Sequence, residues 1–201
     1  MNYLAIDTSG KSLTVIIKNG DKVLSFYDDK CAFRHSVELM PKVEQLAKEA
    51  DFDFSKADFF ACVVGAGSFT GIRIGVSTIK AMCFAFNKPC LSVTSFDTLA
   101  YNMRGKVMVI IDAKHNGFYA CGYDDNKVCF APSYIMREEL EKIAKDYTLV
   151  SFEKVSGFDV KVVSVIDGFI KAIEDKKGEI TVDLNKLEPL YCRKSQAEEG
   201  R

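Results

Sequence analysis

The chain has 201 residues, 48% of them apolar, with 27 Lys+Arg against 28 Asp+Glu for a net charge of −1. This content can bury a real core as one compact unit or two small lobes, while balanced charge without a dense basic run excludes strong independent nucleic-acid binding, so any RNA would be held mainly by another protein. Seven cysteines without a C-x-x-C pair read as buried thiols of a reducing, cytoplasmic compartment, and with no basic stretch before Asp7 and no long apolar run, neither a secretory leader nor a membrane span is expected.

Tyr3 to Ile6 reads as a first strand, Ser12 to Lys18 as a second and Val23 to Tyr27 as a third, with Asn19-Gly20 as the hairpin signal between the last two. Ser36 is placed to cap a helix to Ala50, with Val37, Met40, Val43, Ala47 and Ala50 as its apolar stripe and Pro41 setting its first turn or kinking it. Phe59 to Val64 is a continuous apolar strand of the kind buried on both faces. A glycine-rich loop follows, then a helix from Gly71 to Asn87 stopped by Pro89, a strand from Cys90 to Val93, and a helix to Met103 that Ser95 could cap. The second half repeats this order. Val107 to Asp112, Gly117 to Tyr123 and Lys127 to Phe130 read as strands and Arg137 to Lys145 as a helix. Tyr147 to Phe152 and Lys161 to Val165 are further strands, and Gly168 to Lys176 is a short helix before a polar tail.

The loop Val64-Gly65-Ala66-Gly67-Ser68-Phe69-Thr70-Gly71-Ile72-Arg73-Ile74-Gly75 carries the most chemistry. Glycines 65, 67 and 71 permit close approach of backbone, and Ser68 and Thr70 put hydroxyls beside a helix N-terminus that favours an anion such as phosphate. It is not a P-loop, because Gly71 is followed by Ile72-Arg73 where a lysine is required, and its third glycine falls one place late for a dinucleotide fingerprint. The plainer reading is a tight strand-to-helix turn capped by Thr70, with the glycines serving packing alone. Each half also begins with a strand ending in an acid and turning into a hairpin, at Asp7-Thr8-Ser9 and at Asp112-Ala113-Lys114. Facing each other across a cleft, the two carboxylates would hold metal-bound water and the turn amides phosphates; alternatively, they are aspartates that begin turns.

With these residues assembled, the chain resembles the actin-like ATPase superfamily and, within it, the bacterial TsaB (YeaZ) family, accessory subunits of tRNA threonylcarbamoyladenosine synthesis. The resemblance spans nearly the whole chain. It rests on Leu4-Ala5-Ile6-Asp7-Thr8-Ser9, His35-Ser36, the segment from Gly65 to Gly75, Ile111-Asp112-Ala113, and Pro189-Leu190-Tyr191-Cys192-Arg193-Lys194-Ser195-Gln196-Ala197-Glu198. Ala66 stands where the family usually has proline. The resemblance implies an α/β fold of duplicated actin-like (RNase H-like) β-β-β-α-β-α lobes, residues 1–103 and a smaller 104–201, with the tail packing back on the first lobe.

It also implies a partner without catalytic residues: a scaffold that activates the catalytic paralogue TsaD, assisted by the small ATPase TsaE, next to the anticodon of tRNA. On that reading Asp7, Thr8, Ser9, Gly65, Gly67, Ser68, Thr70, Gly71 and Asp112 form a vestigial nucleotide or phosphate site. The isolated chain then needs no cofactor, and Mg-ATP or ADP would bind only weakly, in the complex. No metal site is expected, because the paralogue holds a metal through H-x-x-x-H whereas this chain has only the distant His35 and His115. A peptidase reading lacks both H-E-x-x-H and a nucleophile with its base.

The two N-terminal helices are the expected contact surface, for TsaD or for a second copy in a homodimer. Val37, Met40 and Glu44 on the first and Ile72, Arg73, Val76, Ile79, Lys80 and Cys83 on the second would form an exposed patch, with Gly71, Gly75 and Thr78 letting another helix approach closely. Interior packing of both stripes is the alternative. The competing function is a self-sufficient actin-fold ATPase or small-molecule kinase using Asp7, Asp112 and the glycine loop. Against it, the second lobe offers only isolated Gly157 and Gly168 where such enzymes usually supply a glycine pair for the nucleoside. Arg193 and Lys194 in the tail could reach phosphate or simply be solvated.

Overall fold

The first strand shows no apolar alternation because both of its faces are covered: Leu4 and Ile6 of Tyr3–Asp7 (β1) point to one core and Tyr3 and Ala5 to another. In the computed structural model, which describes residues 1–193, β1 pairs antiparallel with Leu13–Asn19 (β2), which pairs antiparallel with Lys22–Asp28 (β3). The β2–β3 connection is a two-residue turn in which Asn19 faces Lys22 and Gly20 takes φ +61°, a conformation glycine adopts without strain. Helix His35–Ala50 (α1) leads to Phe59–Val63 (β4), parallel to β1, and helix Phe69–Phe86 (α2) leads to Cys90–Val93 (β5), parallel to β4. The sheet order is β3-β2-β1-β4-β5.

The second lobe repeats this plan. Lys106–Asp112 (β6), Gly117–Asp124 (β7) and Lys127–Met136 (β8) form an antiparallel meander, helix Arg137–Ile143 (α4) follows the short helix Asp97–Ala100 (α3) in numbering, and Thr148–Ser151 (β9) and Lys161–Val162 (β10) add in parallel. Its order, β10-β9-β6-β7-β8, is the first lobe's order with each strand replaced by its counterpart. The fold is therefore α/β, a duplicated actin-like arrangement with a smaller second lobe. The size difference has a location, because residues 152–160 between β9 and β10 contain no counterpart of α2. Helix Val165–Lys176 (α5) then packs Phe169, Ala172 and Ile173 into the core shared by the facing sides of both lobes.

Several local expectations shift. Helix α1 begins at His35 behind Arg34, with no side-chain cap, so Ser36 is not its cap, and Pro41 lies beyond its first turn. Its buried face is His35, Leu39, Val43, Leu46, Ala47 and Ala50, whereas Val37 and Met40 are 69% and 43% exposed. Helix α2 starts two residues early and is capped by Ser68, whose Oγ accepts from the Gly71 amide at 3.2 Å, and not by Thr70. Helix α3 is only four residues long, and Ser95 does not cap it. Its N-cap position, Phe96, has no side-chain cap; instead Thr94 and Asp97 bond reciprocally across the turn before it, Thr94 Oγ1 accepting from the Asp97 amide at 3.0 Å and Asp97 Oδ2 from the Thr94 amide at 2.9 Å. Helix α2 is long and apolar enough to cross a bilayer by length and composition, yet Ile72, Val76, Ile79 and Cys83 are buried against the sheet. Beyond α5 the chain returns to the first lobe. Thr181 bridges Cys90 at the edge of β5, Leu187 is buried in the first core, and the Leu190 amide donates to the Val64 carbonyl at 2.7 Å.

Candidate functional site

The C-terminal ends of β1 and β4 lie side by side because the strands pair in parallel, and this brings the Asp7-Thr8-Ser9 turn against the glycine loop. Contact between them is intimate. The Ser68 amide donates to the Ser9 carbonyl at 2.7 Å, and Thr8 Oγ1 donates to the Gly71 carbonyl at 2.7 Å. Ser9 Oγ lies 2.7 Å from Asp7 Oδ1 and 3.0 Å from Ser95 Oγ, which donates to the Ala66 carbonyl at 2.7 Å. Asp7, Thr8, Ser9 and Ser95 are all buried.

The glycines of this loop are required, but by the protein itself. A Cβ on Gly67 would meet the Ser9 carbonyl oxygen at 2.1 Å and one on Gly71 the Thr8 carbonyl oxygen at 2.0 Å, while on Gly65 it would meet the Leu190 carbonyl oxygen at 2.5 Å. Gly75 likewise abuts Thr8 Oγ1, at 2.6 Å. The small residues of α2 thus admit the β1 turn, not a second helix as the spacing led us to expect. The concavity that glycine opens for a phosphate in other loops is here filled by the backbone of residues 8 and 9.

The second acid comes to the same place. Asp7 and Asp112 both line an inter-lobe cleft of about 610 Å³, together with Ser9, Gly67, Ser68, Thr70, Gly71 and Ser95. Their environments differ. Burial pushes the Asp7 carboxyl above its ordinary value, opposed by two hydrogen bonds from Ser9. At Asp112 partial burial also acts upward, but the Lys114 amide at 2.8 Å and ammonium at 3.1 Å outweigh it and hold the carboxyl below its usual range. One acid is desolvated with an oxygen already accepting two hydrogen bonds, the other is paired with a lysine, and the phosphate concavity is occupied by main chain. This set does not fit a Mg-nucleotide. Of the histidines, His35 is buried with Nε2–H donating to the Ser12 carbonyl at 3.0 Å, and His115 sits in the β6–β7 turn. Burial pushes the Cys83 and Cys121 thiols up to about 12 and Cys192 to about 11, so these stay protonated near neutrality and are poor nucleophiles.

The expected contact surface divides in two. Val37, Met40, Glu44 and Arg73 face outward and Lys80 is half-buried. Ile72, Val76, Ile79 and Cys83, by contrast, are buried in the core between α1, α2 and the first sheet, and cannot touch a partner. The large apolar residues that α2 does expose are Phe84 and Phe86. Sequence reading missed Ser95, which ties Ser9 to Ala66, because a serine after a strand reads as a helix cap. It also missed the cleft aromatics Phe33, Tyr119 and Phe152, which carry no motif.

Compared with known proteins, residues 29–171 match the family model described as TsaD: tRNA N6-adenosine threonylcarbamoyltransferase. The chain is 34% identical over 122 residues to the tRNA threonylcarbamoyladenosine biosynthesis protein TsaB of Bacillus subtilis, covering 59% of this chain and 53% of that protein. With the TsaB protein of Escherichia coli it shares 27% identity over 135 residues, 64% of this chain and 58% of that protein. The chain thus spans somewhat over half the length of these curated relatives. Among solved structures, YeaZ from Pseudomonas aeruginosa aligns with a TM-score of 0.74 at 24% identity, covering 94% of this chain and 99% of that one. A protein described as uncharacterized, with similarity to peptidase YEAZ from Pseudomonas aeruginosa, aligns with a TM-score of 0.79 at 23% identity, covering 96% and 99%. These two likenesses concern the fold.

Proposed function

The chain belongs to the TsaB (YeaZ) branch of the tRNA N6-adenosine threonylcarbamoyltransferase family, and from that premise we propose that it is a non-catalytic subunit that scaffolds and activates the enzyme making threonylcarbamoyladenosine in tRNA. Its partner is the catalytic paralogue TsaD, with the small ATPase TsaE assisting, and tRNA meets it mainly through that cytoplasmic complex. The observation that carries the non-catalytic part is the filling of the glycine loop by the Thr8-Ser9 backbone, with Gly67 and Gly71 leaving no room even for a methyl group. The isolated chain accordingly needs no nucleotide, and Mg-ATP or ADP binds only weakly, within the assembled complex.

The outward residues Val37, Met40 and Glu44 on α1 and Arg73 on α2, with the half-buried Lys80, form the partner surface, which the chain can also present to a second copy of itself. A standard interface there would bury roughly 800 Å² per partner.

The test is threonylcarbamoyl transfer to tRNA in a mixture of TsaD, TsaE and the adenylate-forming enzyme, with this chain present or omitted. Product lost on omission, and restored equally by the wild-type chain and by Asp7→Asn, is the expected result. Product formed equally well without the chain refutes the subunit reading. The ATPase or kinase alternative is supported only by the shared position of Asp7 and Asp112 on one cleft; calorimetry showing micromolar Mg-ATP affinity that Asp7→Asn abolishes would favour it instead.

A further inference from the structure

The motif Pro189 to Arg193 has no role in the function proposed above, yet it makes directed contacts with both lobes. Leu187, fully buried in the first core, anchors the segment. Beyond it, the Leu190 amide donates to the Val64 carbonyl at 2.7 Å, and the Leu190 carbonyl lies over Gly65 so closely that a Cβ there would approach it to 2.5 Å. The Tyr191 ring stacks on Phe69, the first residue of α2, with centroids 4.3 Å apart and planes 12° from parallel. Arg73, one turn further along α2, donates from Nε to Tyr191 Oη at 2.9 Å. Two residues later the chain has crossed to the other lobe, where the Arg193 guanidinium lies 4.8 Å over the Tyr134 ring of β8. Tyr134 in turn meets Tyr119, which lines the cleft, edge to face at 6.0 Å.

Anchor and tip differ in how easily they let go. Leu187 cannot leave without opening the first core, but Tyr191 is 38% exposed and its stack sits on the surface of α2. Opening free energies in a native protein follow this kind of difference, from near zero at exposed ends to the global value in the core.

We infer that the Tyr191 and Arg193 side chains are a releasable clasp tying the glycine loop to the second sheet beside the cleft, so that freeing them loosens that loop and sheet locally while Leu190 and Cys192 stay packed on the shared core. The inference does not depend on a role in tRNA modification.

Hydrogen exchange on the full chain tests it. The Ser68 and Ser95 amides, bonded to the Ser9 and Gly65 carbonyls, report the loop, and the amides of β7 and β8 report the second sheet. In Tyr191→Ala the loop amides should exchange about tenfold faster while those of β4 keep their wild-type rates, which separates local opening from general destabilisation. Arg193→Gln should accelerate β7 and β8 and leave the loop alone. Exchange at Ser68 and Ser95 that is unchanged in folded Tyr191→Ala overturns the inference, as does acceleration that reaches β4 equally. If Tyr191→Ala does not fold, Tyr191→Phe, which removes only the bond from Arg73, and Arg193→Gln decide by the same criterion.

Discussion

Gly71→Ala sets two effects against each other. Gly71 is the third residue of α2 and has no left-handed backbone, so by helix propensity alone an alanine there would add up to about 1 kcal/mol of stability. Against this, its Cβ would stand 2.0 Å from the Thr8 carbonyl oxygen, where real side chains keep at least 3.0 Å, so the helix and the β1 turn must part by about 1 Å. Overpacking of that kind costs about 1–3 kcal/mol, and the separation also disrupts the buried hydrogen bond from Thr8 Oγ1 to the Gly71 carbonyl, worth about 1 kcal/mol. The steric effect wins, leaving a net loss of about 2 kcal/mol, which in a chain of this size lowers Tm by about 4–8 °C. Differential scanning calorimetry measures it, with Gly178→Ala as control, since no atom lies within 4 Å of a Cβ there; the control should be neutral or slightly stabilised. A Gly71→Ala protein that melts at or above the wild-type temperature would refute the claim that the loop is packed solidly against its own turn.

The remaining predictions concern charge and burial. Because burial raises the Asp7 carboxyl above its ordinary 3.8, the folded protein holds that proton more tightly than the unfolded chain, so this group's contribution is most favourable below 3.8 and declines as pH rises through the raised value. Asp7→Asn keeps an oxygen for the two Ser9 donors and should therefore be more stable than the parent in urea at neutral pH, with the advantage vanishing in acid; a constant difference across pH would contradict the assignment. Ile79→Asp places a charge at a fully buried position and should cost about 4 kcal/mol or more in urea unfolding, or prevent folding outright. Val37→Glu, on the outer face of α1, should change stability by less than about 0.5 kcal/mol while weakening capture of TsaD in pull-down. A Val37→Glu protein that unfolds easily would place that side chain inside the molecule.

The order of elements along the chain and its repetition were legible because each lobe announces itself with local signals: a meander closed by a tight turn, then an apolar strand buried on both sides, as in Phe59–Val63. Convergence of Asp7 and Asp112 on one cleft followed from the repeated strand-acid-turn pattern. What could not be read was the phase of the helices. Val37 and Met40 are apolar and one turn apart, so periodicity alone admits them to the buried stripe, whereas Leu39 and Leu46 win it through their contacts with the sheet. The glycines of α2 were legible as places of close approach, but what approaches is fixed by the parallel β1–β4 register, a long-range fact. Ser95 illustrates a related difficulty: a residue of cap type also occurs where its hydroxyl serves a neighbouring turn, here by meeting Ser9 and donating to the Ala66 carbonyl.

The return of residues 181–190 to the first sheet sets the order in which this molecule can be completed. The edge of β5 is bridged by Thr181, and the first core contains Leu187, so the amino-terminal half leaving a ribosome lacks a strand partner and a core side chain that arrive nearly a hundred residues later. Its sheet can form early from neighbouring strands, but its last pieces require a loop closed across the whole second lobe, and contacts of such sequence separation are the slow ones in folding. The first lobe is therefore begun first and finished last, and a fragment containing it alone would carry an open β5 edge and an empty socket for Leu187.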